Sequence, residues 1–290
     1  MKRFHLISRL FIIFCAVAAV FPVFFACTNS LMGQEELKNR YSAQITEENS
    51  DDYTEGSIHF VRFGLWPDRT DLEQYRELLF GNPVYLRYFW NAVLLVVPIL
   101  VGQCILAPLA AFGFENLSWR RKEILFFFYV VIMLMPTQVL MVPNFIVAGW
   151  LNIRDSYLAI VLPAMFHPLG VFLIRQQIKG FPKEAMEAAR LDGAGEFQIY
   201  RYIVRPNLGS VVAAMLVLLF ADNWNMVDQA VVFIREPYKL PLSAVLSQVM
   251  EMNPQMFFAA SCFYLVPAVL MFLYGQEFLA AGSQLAELKK

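Results

Sequence analysis

The chain has 290 residues, of which 58% are apolar and 16% charged, with 27 phenylalanines and a net charge of −1. Soluble domains carry roughly 25% charged residues, so the composition excludes an ordinary soluble domain and points to a chain dissolved in lipid. A balance this close to neutral supplies no basic field for nucleic acid.

A helix needs roughly 20 apolar residues to cross a bilayer core of about 30 Å. Six stretches qualify: 10–27, 89–114, 124–148, 157–178, 210–227 and 256–274. The expected fold class is therefore all-α and polytopic, with six transmembrane helices. The first stretch follows Lys2, Arg3 and Arg9 and ends in FFAC, which raises the alternative of a cleaved leader. No small-x-small site is clear and five more stretches follow, so it reads as a retained anchor. Residues 28–87 form an extracytoplasmic segment in this reading. Its part 34–58, centred on EENSDDYTEG, looks loosely ordered. In 65–87, Asp71 can cap a short helix carrying Leu72, Tyr75, Leu78 and Leu79 at helical spacing. Stretches three and four contain Pro136, Pro143, Pro163 and Pro168, where kinks and not breaks are expected. The segment 228–255, with Pro237, Pro241 and Pro254, is the second outer connection.

Lys and Arg near the span ends set the orientation. Three lie at the amino terminus, three at 120–122, six between Arg175 and Arg205, and two at the carboxyl end. The other side has nine, six of them in the long segment 28–87, which the rule discounts. Both termini and the stretch 180–206 are thus expected in the cytoplasm.

Cys15, Cys27, Cys104 and Cys262 all fall in or beside apolar runs without CxxC spacing, so buried, inert thiols are expected. The three histidines, at 5, 59 and 167, form no metal or catalytic pattern, and no GxxxxGK[ST] phosphate loop occurs.

A polar, helix-prone stretch, KEAMEAARLDGAGEFQIYRYIVRP, residues 183–206, lies between the fourth and fifth apolar stretches. Pro182 suits a helix start. Glu184 and Glu187 fall early and Arg190 late, as the helix dipole favours. Lys183 and Glu187 can pair at four residues' spacing. A helix is expected over 183–191, a turn at Asp192-Gly193-Ala194-Gly195, and a second helical piece over 196–205 that ends at Pro206. Ala185, Ala188 and Ala189 would let another surface approach closely, though alanine is also simply the best helix former.

The run EAARLDGAGEFQIYRYIVRP resembles the EAA loop of ABC-importer permeases, E-A-A-x-x-x-G, nine variable residues, then I-x-L-P. Glu187, Ala188, Ala189 and Gly193 match its start, Asp192 and Ala194 the commoner DGA form, and Ile203 and Pro206 its end, with Arg205 in place of the usual leucine. WPDRTDLEQYRELL, YFWNAVLLVVP, MLMPTQVLMVPNF and NWNMVDQ resemble the MalG-like branch, the carbohydrate permeases. The resemblance implies a type I (MetI-like) importer fold, with a five-helix core at 88–290 and residues 1–27 wrapped around a second, homologous permease. It further implies two partner ATPase subunits that carry ATP and Mg, and an extracytoplasmic solute-binding protein that touches 228–255. The chain itself would be no enzyme and hold no cofactor or metal. Its loop 180–206 would be the coupling helix, docking through Ala185, Glu187, Ala188, Ala189, Asp192, Gly193, Ala194, Ile203 and Pro206.

Polar groups inside spans are candidates for a solute pathway, or for helix-to-helix bonds. They are Asn91, Gln103, Gln138, Asn144 and His167, with Asn223, Trp224 and Asn225 near the outer end of the fifth span. Aspartates cost about 2.5–3.5 kcal/mol at mid-bilayer, which places Asp222 and Asp228 near that same end. An ion-coupled carrier or channel is the alternative reading. It predicts charges deep in the spans and leaves the polar elbow without a role.

Overall fold

The computed structural model describes residues 2–41 and 64–287. Helix α1, Lys2–Asn29, is apolar all round, and none of its most apolar window is buried by the rest of the chain. Such a helix meets lipid or a partner. Helix α2, Gln34–Tyr41, corrects the expectation of loose order over the front of 34–58. Its charges do not simply face water: Arg40 bridges Glu36 at 2.7 Å and Asp68 at 3.1 Å, and Glu36 accepts the Asp68 N–H at 2.9 Å. The remainder of that segment, with its EENSDDYTEG centre, lies outside the described residues. The predicted short helix is α3, Glu73–Arg76, prolonged by a wide turn over Glu77–Gly81. Asp71 Oδ1 accepts the Glu73 N–H at 2.9 Å, and Leu78 is buried.

The chain divides into two compact units, Met1–Arg87 with Val245–Val266 and Tyr88–Ala244 with Pro267–Lys290. The core of the first gathers Leu78, Val249, Met256, Ala259 and Ala260, with Tyr75, Tyr85 and Phe257 packed against them.

The second unit holds most of the spans. Helix α4, Pro83–Asn116, buries Ala92, Leu95, Ile99, Gln103, Ala107 and Ala111 at helical spacing. The third predicted span is broken and not kinked. Helix α5, Lys122–Met133, and helix α6, Thr137–Trp150, meet at 109°. Pro136 has no N–H to continue the ladder and disfavours helical backbone before it. At 12 and 14 residues, the halves are about 18 and 21 Å long, each too short for a core of about 30 Å. The fourth span stays one crossing of two pieces, α7, Leu158–Met165, and α8, Pro168–Ile178. After α9, Lys183–Leu191, and α10, Glu196–Ile199, the chain runs into α11, Gly209–Trp224. The segment 228–255 is built and not merely connecting: it contains α12, Asp228–Phe233, and α13, Leu242–Met252, which leads to the last helix α14, Pro254–Glu287. Among the described residues five helices are long and apolar enough to cross a membrane, or six if the bent α5–α6 pair is one span.

Small residues let the spans cross closely. A Cβ at Gly170 of α8 would stand 2.6 Å from Gln103 Oε1, 2.7 Å from Met215 Sδ and 3.1 Å from the Ala107 Cβ. So α8 crosses α4 and α11 closely here, and an added Cβ would have to displace the Gln103 and Met215 side chains. The cysteines depart from expectation. Cys15, Cys27 and Cys104 are exposed and Cys262 is half-buried. In a lipid-facing helix an apolar setting does not require burial inside the protein.

Candidate functional site

The polar stretch 183–206 forms an elbow. Met186 of α9 is buried and Ala189 half-buried, while Glu184, Ala185, Glu187 and Ala188 are exposed and Leu191 is 90% exposed. The helix ends in a left-handed cap. Gly193 has φ +87°, its N–H donates to the Arg190 carbonyl at 3.1 Å, and the Ala194 N–H reaches back to Ala189 at 2.9 Å. This pairing satisfies carbonyls that a helix end leaves open, and it needs the αL residue that glycine supplies without strain. Ala189 and Ala194, at the two ends of that bond, both pack against the core. Asp192 is exposed and donates its N–H to Ala188 at 3.0 Å.

Past the turn, Gln198 Oε1 accepts the Gly195 N–H at 2.8 Å and starts α10. Arg190 grips Glu196 with two bonds of 2.8 and 3.2 Å, and that hydrogen bonding chiefly raises the already high pKa of its guanidinium. This pair crosses the turn. The Lys183–Glu187 pair expected from spacing is not formed among the described residues. The second helical piece also does not end at Pro206. The helix widens over Tyr200–Val204, tightens over Arg205–Leu208 and continues into α11 as one crossing, Glu196–Trp224. These irregular turns absorb the proline's missing donor. Pro206 is exposed, Ile203 half-buried, and Asn207 Nδ2 donates to the Ile203 carbonyl at 2.7 Å.

The inner face of the elbow is continuous with the spans. Met186, Ile199, Tyr200, Val204 and Leu208 share one core with Ala111 and Phe112 of α4, Val171, Ile174 and Ile178 of α8, and Met215 and Leu219 of α11. The Tyr200 ring lies 5.4 Å from Phe112.

Beside this core sits a residue that the sequence reading placed only among the loop charges. Arg175, in the last turn of α8, is 1% exposed. Its Nε donates to Glu115 at 3.1 Å and its Nη2 to Glu123 at 2.6 Å, while its guanidinium lies 3.9 Å over the Phe126 ring. It therefore ties the end of α4 and the start of α5 to the helix that leads into the elbow. The signal available in sequence was two acids bracketing the short 117–121 connection and one arginine a turn inside an apolar stretch. Only the fold brings them together.

The polar span residues separate into two groups. Asn91 donates to the carbonyls of Tyr238 and Leu240, at 2.8 and 3.0 Å. Gln103 donates to those of Ala164 and His167, at 3.0 and 3.1 Å, so its amide replaces the N–H that Pro168 cannot offer Ala164. His167 Nδ1 in turn accepts the Leu169 N–H at 3.4 Å and caps α8. Trp224 is buried and stacks on Phe220. The other group surrounds a pocket of about 200 Å³ lined by Thr137, Met141, Asp222, Asn223, Asn225, Asp228 and Gln229. Gln138 adjoins it, donating to Asp228 at 3.3 Å. Asn144 is half-buried one turn beyond Met141 on α6.

The chain is similar to known proteins. The profile of the family described as "Binding-protein-dependent transport system inner membrane component" matches residues 103–276. The arabinooligosaccharides transport system permease protein AraQ of Bacillus subtilis (strain 168) is 29% identical over 234 residues, 78% of this chain and 83% of that one. The lactose transport system permease protein LacG of Rhizobium radiobacter is 33% identical over 47% of this chain and 50% of its own. The sn-glycerol-3-phosphate transport system permease protein UgpE of Brucella abortus (strain 2308) is 27% identical over 76% and 73%. Among solved structures, a bacterial ABC transporter involved in the import of the acidic polysaccharide alginate superposes with a TM-score of 0.77 at 18% identity, covering 95% of this chain and 96% of that chain. The fold is thus that of an ABC-importer permease, and with 103–276 matched, the chain belongs to the family of inner membrane components of binding-protein-dependent transport systems.

Proposed function

We propose that this permease subunit carries a neutral sugar or oligosaccharide across the cell membrane, driven by ATP hydrolysis on partner subunits through the elbow at 180–206. One observation carries the coupling: the elbow's inner face and three spans share a single core. Close-packed interiors transmit displacement. A push on the exposed face of α9 is therefore passed to α4, α8 and α11, as a switch between two states of the spans needs. The partners in this reading are two ATPase subunits bearing ATP and Mg, a second permease against the lipid-facing α1, and an extracytoplasmic solute-binding protein at 228–255. Both termini lie in the cytoplasm. The chain hydrolyses nothing, having no phosphate-binding loop of its own.

The choice of a neutral solute rests on the pocket at 222–229. Its amides and carboxylates suit hydroxyl donors, and Asp222 and Asp228 repel anions. AraQ and LacG, by name, serve arabinooligosaccharides and lactose. In proteoliposomes holding the complete complex, uptake should follow ATP on the cytoplasmic side and survive collapse of all ion gradients. Uptake that needs a gradient and ignores ATP would establish the carrier reading instead.

A further inference from the structure

Cys27 and Cys262 are 235 residues apart in sequence, yet their sulfurs lie 3.7 Å from each other. Both belong to the first compact unit. Cys27 sits two residues before the end of α1. Cys262 lies eight residues into α14, about 12 Å along its axis. The helices also meet two residues away on α1 and one turn away on α14, where the Phe25 and Phe258 rings pack edge to face at 6.1 Å. The contact is therefore a helix crossing and not a single touching pair.

The setting is polar on one side. The Ser30 and Tyr75 hydroxyls are 2.7 Å apart, and Ser30 also bonds the Cys27 carbonyl at 2.8 Å. Burial chiefly, with both thiols adding, pushes the Tyr75 phenol up to about 12, so it stays protonated and can donate to sulfur. Cys27 is not covered by its own chain, and Cys262 is half-buried. Cys27, the less covered of the two, is the one an external disulfide meets first, since exchange depends on access.

We propose that Cys27 and Cys262 are a redox pair that closes to a disulfide, stapling the first membrane helix to the last. The Cys27 thiolate attacks one sulfur of an external disulfide and releases one thiolate. The Cys262 thiolate then attacks the Cys27 sulfur of the mixed disulfide and releases the second. The two leaving thiolates take up the two protons lost by the cysteines, so one dithiol is oxidised and one disulfide reduced. Closure needs the sulfurs to approach from 3.7 Å to about 2.05 Å. In the orientation proposed above the pair lies at the extracytoplasmic end of the spans, the oxidising side where such bonds persist.

The test uses the assembled transporter in intact cells. Cells are exposed to oxidised glutathione, which does not cross the membrane, or to diamide, which does. The protein is then denatured and its free thiols counted with a polymer-linked maleimide. Of the four cysteines, two should become unreactive after either oxidant and return with dithiothreitol, and digestion should yield a linked peptide holding positions 27 and 262. Cys27→Ser and Cys262→Ser should each keep all three remaining thiols reactive. A Cys15→Ser, Cys104→Ser double variant should lose both of its thiols. Four reactive thiols after both oxidants, or a link between other positions, overturns the pairing. Closure by diamide alone keeps the pairing and overturns the orientation.

Discussion

Gly193→Asp should leave the permease in the membrane at its normal level and reduce ATP-driven uptake by more than roughly a thousandfold, the equivalent of about 4 kcal/mol of lost coupling. Gly193 ends α9 at φ +87°, and a Cβ built there meets nothing within 4 Å. Inside this chain the cost is therefore left-handed strain alone, on the order of 1–2 kcal/mol for a residue with a side chain, and less for aspartate, which tolerates that region better than most. A loss of transport far beyond that strain has to come from a surface pressed against the turn. Gly209→Ala is the matched control, since a Cβ there also meets open space and the backbone is helical. Near-wild-type uptake by Gly193→Asp, measured with radiolabelled solute at equal membrane levels, would remove the docking role of the turn.

Arg175→Ala should destabilise the permease by about 3 kcal/mol, the lower end of what breaking a buried ion pair costs. The estimate is kept low because only one carboxylate suffers. Glu115 is 16% exposed and would be left without its cation, whereas Glu123 is 65% exposed and regains water. Adding Glu115→Gln should recover part of the loss, because the stranded charge is then removed. Glu123→Gln should cost little by itself. Thermal midpoints of the purified complex, compared across these variants, read the pattern. If Arg175→Ala and Glu115→Gln each proved neutral, Arg175 would not be the tie between α4, α5 and the elbow.

Much of this molecule was legible in its residues because lipid imposes a simple rule: an apolar stretch of spanning length becomes a helix. The predicted stretch 89–114 lies inside α4, and 157–178 falls within one residue of the paired α7 and α8. The Asp71 turn just ahead of α3, whose N-cap is Leu72, and the Gly193 turn were legible for a local reason, since each is set by a few neighbouring residues. What was not legible depended on distant partners or on competition at prolines. Pro136 breaks its span while Pro206 only distorts one, and the difference lies in the surroundings: Pro206 sits in a helix whose Val204 and Leu208 are locked into the core, whereas Leu134 and Met135, before Pro136, are exposed. Gln103, Arg175 and the Cys27–Cys262 contact each join segments at least 52 residues apart, and no spacing rule reaches that far. The elbow's alanines were legible as a motif but not in their division of labour, with Ala185 and Ala188 turned outward and Ala189 packed inward.

The measurement that decides the coupling role is a crosslink from the exposed face of α9. A cysteine replacing Ala188, carrying a short bifunctional reagent in a complex that still transports, should be trapped on an ATPase subunit. One replacing Met186, which is buried in the elbow's core, should not. If Ala188→Cys instead stays fully reactive to soluble thiol reagents in an actively transporting complex and traps no ATPase, nothing docks there and the proposed coupling is contradicted.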